Sequence, residues 1–549
     1  APAPRSPALP SGASAQHAAD AAANVGASAA PSGVPQAASA AGSRAAASRS
    51  AGGSGGTGAA PQVPPGAPTN TERFTAVGTN PFVLTAHDPF STFAADVDTA
   101  SYDIFRRNIE HNLPTQVASV RLEEFVNYFE YDYPMPAENS EHPFSISTAT
   151  AQNPLGRDTV LLRVGIQAKD PSAATKKPAN LVFLVDVSGS MQVEDKLPLV
   201  QYLLEQTLEV LDADDKVSIV TYAGNTSVLL PPTSVVQKAD IARAIDGLTA
   251  GGSTNGEGGI QLAYQQAERA LIQDGINHVI LCTDGDFNVG VSNTDALVEM
   301  IKEKRKSGIT LTALGFGIGN LNDSMMEKVS NAGNGMYSVI TSRTQANRYA
   351  EDRMLRTFIH VAKDLKIQVE WNPEHVAAYR LLGYEDRAIA DQDFRNDAVD
   401  AGEVGAGHRV TALYEVVPVG KQIPQLDRAP APREGNPVDG MREVGKDGWV
   451  LVKVRYKQPG ASESDPAREV VSRVLASDVP QVFGAADKDL QYSAAIAAFA
   501  EILKQSPYAT PNKLDVLRQV FESQAERDGE RKEFLSLFDK ARSFLPAGP

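Results

Sequence analysis

The 549-residue sequence predicts an α/β protein: a doubly wound, mostly parallel sheet, inserted in or flanked by a β-rich domain, with helices at the C-terminal end. Three observations predict it. Between about residues 178 and 340, the apolar runs "LVFLVDV", "KVSIVTYA", "HVILCTD", "ITLTALGFG" and "MYSVI" lack polar alternation and take turns with amphipathic runs, the pattern of strands covered on both faces by helices. Beyond them, "LKIQVEWNP", "HRVTALYEVVPVG" and "GWVLVKVRYKQPG" read as strands, two of them alternating cleanly as in half-buried sheets. The chain then closes with "DLQYSAAIAAFAEILKQS", "NKLDVLRQVFESQ" and "RKEFLSLFDKARSFL", three stretches with helical apolar spacing.

In chain order, residues 1–70 consist mainly of Ala, Ser, Gly and Pro and bury too little surface to offset chain entropy, so they are expected to form a disordered tether. The first residue is Ala rather than Met. With that leader, it points to a removed export signal and a place in the cell envelope, periplasmic or on the surface. Residues 71–175 begin with two helical stretches, "TASYDIFRRNIEHNLP" and "VRLEEFVNYFEYDYP", each halted at proline. In the second, Phe125, Tyr128 and Phe129 have the spacing of core residues, and Glu123, Glu124 and Glu130 are expected on a solvated face. The strand-like "PFSISTATAQNP" and "DTVLLRVGIQAKD" follow. Residues 176–345 form the α/β domain, whose helical runs include "KLPLVQYLLEQTLEVL", "KADIARAIDGL", "IQLAYQQAERALI", "DALVEMIKEKRKSG" and "DSMMEKVSNAG". Residues 346–549 open with the helical "NRYAEDRMLRTFIHVAKD" before the β-rich and helical parts. The later strands are expected to pair with those of residues 143–170.

Composition removes several function classes. Lys and Arg number 51 against 67 Asp and Glu, a net charge of −16, which disfavours non-specific binding to nucleic acid or anionic lipid. No apolar run approaches the roughly 18 to 20 residues of a spanning helix. Cys282, the single cysteine, lies in an apolar run and reads as a buried spectator. The eight histidines form no H-x-H or H-E-x-x-H element, so a zinc hydrolase lacks its ligands. The G-x-S-x-G and phosphate-loop signatures are absent, and "GFGIGN" at 315–320 misses the dinucleotide spacing and reads as a tight turn after a strand.

What stands out is the stretch "NLVFLVDVSGSMQ", where a buried strand ends in Asp186, Ser188 and Ser190 around Gly189. Residues two apart project to the same side, so the three oxygens can converge while Gly189 permits a tight turn. Other strand-end loops add Thr254 in "GGSTNGEGG" and Asp284 in "TDGDFN". In open α/β sheets ligands bind at this carboxyl edge. Two carboxylates and three hydroxyls are hard donors suited to Mg²⁺, with Mn²⁺ or Ca²⁺ as alternatives, and not to zinc or copper. Helix capping would account for one serine but not for Thr254 and Asp284. Asp286 reads as a solvated loop residue.

"DVSGSM", Thr254 and "TDG" together resemble the D-x-S-x-S, Thr and Asp elements of the metal-ion-dependent adhesion site of von Willebrand factor type A domains, which are Rossmann-like. The resemblance implies that Ser188, Ser190 and often Thr254 touch the metal, and that Asp186 and Asp284 act largely through water or by holding the hydroxyls. "FAADVDTASYDIFRRNIEHNLP", "VRLEEFVNYFEYDYP" and the region from about residue 360 resemble the bacterial YfbK-like proteins of that class. The expected function is a Mg²⁺-dependent protein-binding module, adhesive or scaffolding, that recognises an Asp or Glu of a partner protein. It is not expected to be an enzyme. The alternative is a metal-assisted hydrolase, for which Asp286 is the one candidate base, or a regulatory subunit of an ATPase or chelatase machine.

Overall fold

The computed structural model describes residues 72–95, 98–170, 177–252, 256–285, 294–354, 358–399, 401–424, 443–461, 465–478 and 482–545. The stretch read as a tether, Thr254 and Asp286 lie outside them.

The chain enters through two short strands, β1 (Val83–Leu84) and β2 (Phe90–Ala94), and two helices, α1 (Ala100–Glu110) and α2 (Leu122–Asn127). Strands β3 (Phe144–Gln152) and β4 (Val160–Ala168) follow. The α/β domain then runs β5 (Ala179–Asp186), α3 (Leu197–Val210), β6 (Lys216–Tyr222), β7 (Thr226–Ser234), α4 (Lys238–Asp246), α5 (Gly256–Arg269), β8 (Ile276–Thr283), α6 (Thr294–Arg305), β9 (Thr310–Phe316), α7 (Asp323–Ala332) and β10 (Tyr337–Ile340). Among the described residues its sheet has the order β10-β9-β8-β5-β6-β7, parallel except for the β6–β7 pair. Strand β5 is buried along its whole length, which is why its sequence shows no alternation. Helices α3 and α4 cover one face, with Leu203 and Ile241 in that core, and α5, α6 and α7 cover the other, with Ile260, Ile301 and Val329. The chain leaves β5 for β6 on one side and later returns to β8 on the other. The β5–β8 boundary is therefore the switch point, where two loops diverge and leave a crevice.

Helix α8 (Arg343–Arg348) leads, through a π-turn at Tyr349–Arg353, toward β11 (His360–Trp371). The helix expected over "NRYAEDRMLRTFIHVAKD" thus stops early, and "HVAKD" is strand. Strands β12 (Val376–Leu382), β13 (Gly402–Gly405), β14 (Arg409–Pro418), β15 (Gly448–Lys457) and β16 (Arg468–Leu475) complete two further sheets. One has the order β1-β12-β14-β4-β3, and the other is β13-β11-β15-β16 with β2 on β11. Because β4 pairs antiparallel with β14, from Val160 opposite Val416 to Gln167 opposite Arg409, strands from both sides of the α/β domain share one sheet. Strand β4 is buried throughout. Val164 and Tyr414 of one sheet and Trp371 and Val452 of the other share a single core.

Helices α9 (Lys488–Leu503), α10 (Leu514–Gln524) and α11 (Gly529–Ala541) pack on α1 and α2. Phe125 and Phe129 join Phe499, Phe521 and Phe534 in this core, as their spacing predicts. Helix α9 is buried on nearly every side instead of being amphipathic.

Glu123 and Glu124 are not on a solvated face; they are 3% and 1% exposed. They join a buried ionic junction. Arg121 Nη2 lies 2.6 Å from Asp323 Oδ2 and 2.8 Å from Glu327 Oε2, while Arg387 Nη2 lies 2.9 Å from Asp98 Oδ2 and 3.2 Å from Glu327 Oε1. This links α2, α7 and the loop after β12. Burial, then Glu385 and Asp386, pushes Glu123 up to about 7, and burial raises Glu327 to about 8 despite Arg121 and Arg387.

Candidate metal site

The site is built at the end of β5. Asp186 is the last residue of that strand and is fully buried. Its Oδ1 accepts the Ser188 N–H at 2.8 Å, and its Oδ2 accepts the Thr283 hydroxyl at 3.1 Å. The first bond bends the chain back on itself, and the second ties β5 to the end of β8. After Ser188 the chain makes a 3₁₀ turn, Gly189–Gln192, which brings the Ser188 and Ser190 hydroxyl oxygens to 3.0 Å of each other. The spacing of two therefore does converge these side chains. Gly189, however, does not have a left-handed backbone, and a Cβ there would meet only the Gly252 carbonyl oxygen at 3.7 Å. The conformations that need glycine lie in the neighbouring loops, at Gly252 (φ +94°) and Gly285 (φ +91°). At Gly285 a Cβ would come within 2.7 Å of Asn322 N and Leu321 Cα. No other residue fits there without moving the loop.

The loop that carries Thr254 is pinned to this turn. Gly251 N donates to Val187 O at 2.7 Å, and Gly189 N donates to Gly252 O at 3.1 Å. Among the described residues the structure thus brings Asp186, Ser188, Ser190 and Asp284 to one edge, and delivers the 251–252 segment beside them. Gly189, Gly251 and Gly252 are exposed and Ser190 is half-exposed, so the edge opens to solvent. Asp186 and Asp284 form its floor.

Burial pushes the Asp186 carboxyl up to about 6; its bonds to Ser188 and Thr283 oppose the rise, and Asp284 adds to it. Burial and the adjacent Asp186 also push the Tyr222 hydroxyl well up. A sunken carboxylate faced by neutral donors and a second carboxylate is an environment that a cation stabilises. The donors are oxygens, which suits a hard divalent ion. Among the described residues no group of three or more His, Cys, Asp or Glu side chains is placed to hold a metal, so an ion here depends on the serine hydroxyls as well.

Lys196 was not singled out in the sequence. Its Nζ lies 2.9 Å from Asp284 Oδ2, with both side chains buried, and Asn320 Nδ2 donates to the same oxygen at 3.2 Å. One signal was present: Lys196 is the N-cap of α3, where a cation opposes the helix dipole and calls for a carboxylate. The "GFGIGN" loop takes the tight turn read from its sequence, with Gly317 at φ +77° and Gly319 at φ +106°. Cys282 is buried with its thiol pushed up by that burial, in keeping with a spectator role.

A doubly wound sheet whose central strand closes in D-x-S-x-S beside a T-D-G strand end defines the chain as a von Willebrand factor type A protein. The family model described as "von Willebrand factor type A domain" matches residues 180–351, and one described as "von Willebrand factor" matches 68–163. A third, "Uncharacterized protein YfbK, C-terminal", matches 356–544. The chain belongs to the YfbK-like family: it is 37% identical over 480 residues to "Uncharacterized protein YfbK" of Escherichia coli (strain K12), covering 86% of this chain and 81% of that one. It is 26% identical to inter-alpha-trypsin inhibitor heavy chain H2 of Homo sapiens over 36% of this chain and 21% of that protein. A solved von Willebrand factor type A structure from Catenulispora acidiphila aligns over 74% of this chain and 90% of its own, at 16% identity and a TM-score of 0.41. Domains of this type are in general protein-interaction or adhesion modules and typically bind a divalent metal. Among the described residues no helix is long and apolar enough to cross a membrane.

Proposed function

We propose that this chain is a divalent-metal-dependent protein-binding module and not an enzyme. In this reading Ser188, Ser190 and Thr254 offer hydroxyls to the ion, and Asp186 and Asp284 hold the charge beneath it. A bound Mg²⁺ would supply a positive charge and a coordination position for an Asp or Glu of the partner. The observation that carries the reading is the pairing of a buried Asp186 with two serine hydroxyls 3.0 Å apart on a solvent-open edge. The chain's own residues prepare that edge: Thr283 and the Ser188 N–H orient Asp186, and the 251–252 segment locks the turn. The envelope placement expected from the leader belongs to the same proposal.

Partner capture from envelope extracts tests it. The partner is retained in Mg²⁺ and released by chelator, and Asp186→Ala and Ser188→Ala behave as chelator does while the chain stays folded. Retention indifferent to both treatments overturns the reading.

A further inference from the structure

We infer that Lys196 is a resident counter-ion of the metal site that holds Asp284 back and tunes the site toward an anionic partner at the expense of metal affinity; this rests on the function proposed above. Asp284 Oδ2 is engaged by the Lys196 ammonium at 2.9 Å and by the Asn320 amide at 3.2 Å. That oxygen is turned to protein donors, one of them charged. The lysine is held by construction. Its stem lies against Gly317, where a Cβ would fall 2.5 Å from Lys196 Cγ and 2.6 Å from Cε. The 317–319 loop that makes this cradle is itself clamped from the N-terminal region. Arg107 Nη1 donates to Gly317 O at 2.9 Å, and Glu72 Oε1 accepts the Gly319 N–H at 3.1 Å and meets Arg107 Nη2 at 2.8 Å.

The electrostatic consequence follows from counting charges. Asp186 and Asp284 carry two negative charges, and Lys196 returns one. An ion in the site is then only half neutralised by the two carboxylates and keeps more attraction for an outside carboxylate, while its own binding is weaker than two unpaired carboxylates would give. Removing the ammonium reverses both effects. A merely structural lysine has the opposite signature, since disturbing the site would loosen the metal.

The test uses the full chain and Mn²⁺ as probe, with free Mn²⁺ measured by electron paramagnetic resonance and acetate as the probe anion. Lys196→Met is expected to bind Mn²⁺ about 10- to 100-fold more tightly, the range over which groups behind metal ligands act, and to lose affinity of the Mn²⁺-loaded protein for acetate. Because Lys196→Met leaves Asp284 buried without its cation, Asp284→Asn is compared with the Lys196→Met/Asp284→Asn pair, in which neither charge remains. The pair is expected to bind Mn²⁺ more tightly than Asp284→Asn alone. Mn²⁺ binding by the unaltered chain, with Lys196→Met unchanged or weaker and the pair no tighter than Asp284→Asn, overturns this inference and leaves the site reading standing. No Mn²⁺ binding by the unaltered chain overturns both.

Discussion

At the carboxyl edge of the parallel sheet, Asp284 meets one ammonium, Lys196, and Asp186 is held by the Ser188 N–H and the Thr283 hydroxyl beside the two serine hydroxyls. At the junction of α2, α7 and the loop after β12, Asp98, Glu124, Asp323, Glu327 and Asp386 gather around two guanidiniums, Arg121 and Arg387, with Glu123 beside them on the Tyr384 N–H. Both regions bury more acid than base. They differ in what faces the carboxylates. In the junction a planar guanidinium reaches several oxygens at once and the cluster is closed over by packing, so its charge is spent on joining three parts of the chain. At the edge the donors around Asp186 are neutral and the glycine-lined rim is open, which is the contrast on which the proposed cation site rests.

Breaking the junction should have the largest effect. Arg121→Met leaves Asp323 and Glu124 buried without their cation and Glu327 with Arg387 alone, and denaturant unfolding should show a loss of about 3 to 5 kcal/mol. The same junction contributes to the pH dependence. Glu123 and Glu327 titrate near 7 and 8 when folded, against an ordinary 4.5, so the folded chain holds more protons than the unfolded chain through that window. The contribution of these two groups to stability is therefore greatest at the acid end and is lost as pH rises from about 4.5 to 8. In melting curves across that range, Glu123→Gln should gain stability relative to the unaltered chain as pH rises. Gly317→Ala places a methyl against the Lys196 stem at a left-handed backbone position and should cost about 1 to 3 kcal/mol, measured by denaturant. The smallest change in stability is expected at the edge itself. Asp186→Asn keeps the hydrogen-bonded shape and removes a buried charge, so the metal-free Tm should move by no more than about 1 kcal/mol equivalent, while the Mg²⁺-induced rise in Tm disappears. A large loss of metal-free stability there would erase the contrast between the two regions.

The parallel sheet and the strand-end positions of Asp186, Ser188, Ser190 and Asp284 were legible because each is written locally. A strand covered on both faces must be apolar without a break, and D-x-S-x-S places its donors on one side of a single turn. Other elements left weaker traces. Strand β7 contains Pro231 and Pro232, which reads as a loop, yet as an antiparallel edge strand it tolerates residues that cannot donate. Strands β12, β13 and β16 are short or lack a clean period, and only their neighbours in the sheet order them. Residues 349–353 continue a helix before the chain turns into β11, a switch that helical spacing does not announce. Glu123 and Glu124 look solvated because acidic residues on a helix usually are; Glu124 is buried where Arg121 meets α7 of the α/β domain, and Glu123 where its carboxylate accepts the Tyr384 N–H, which spacing on one helix cannot reveal.

The sequence by itself determined that Asp186, Ser188, Ser190 and Asp284 stand at strand ends of a doubly wound sheet, since strand periodicity and side-chain chemistry are properties of a few consecutive residues. Tertiary structure alone decided which groups those oxygens meet, Lys196 on Asp284 and Thr283 on Asp186, and it alone assembled the arginine-filled junction elsewhere. Coulombic and hydrogen-bond energies depend on distances that only folding sets, and residues such as Glu72 and Gly319, 247 positions apart, become neighbours through no pattern that either one carries.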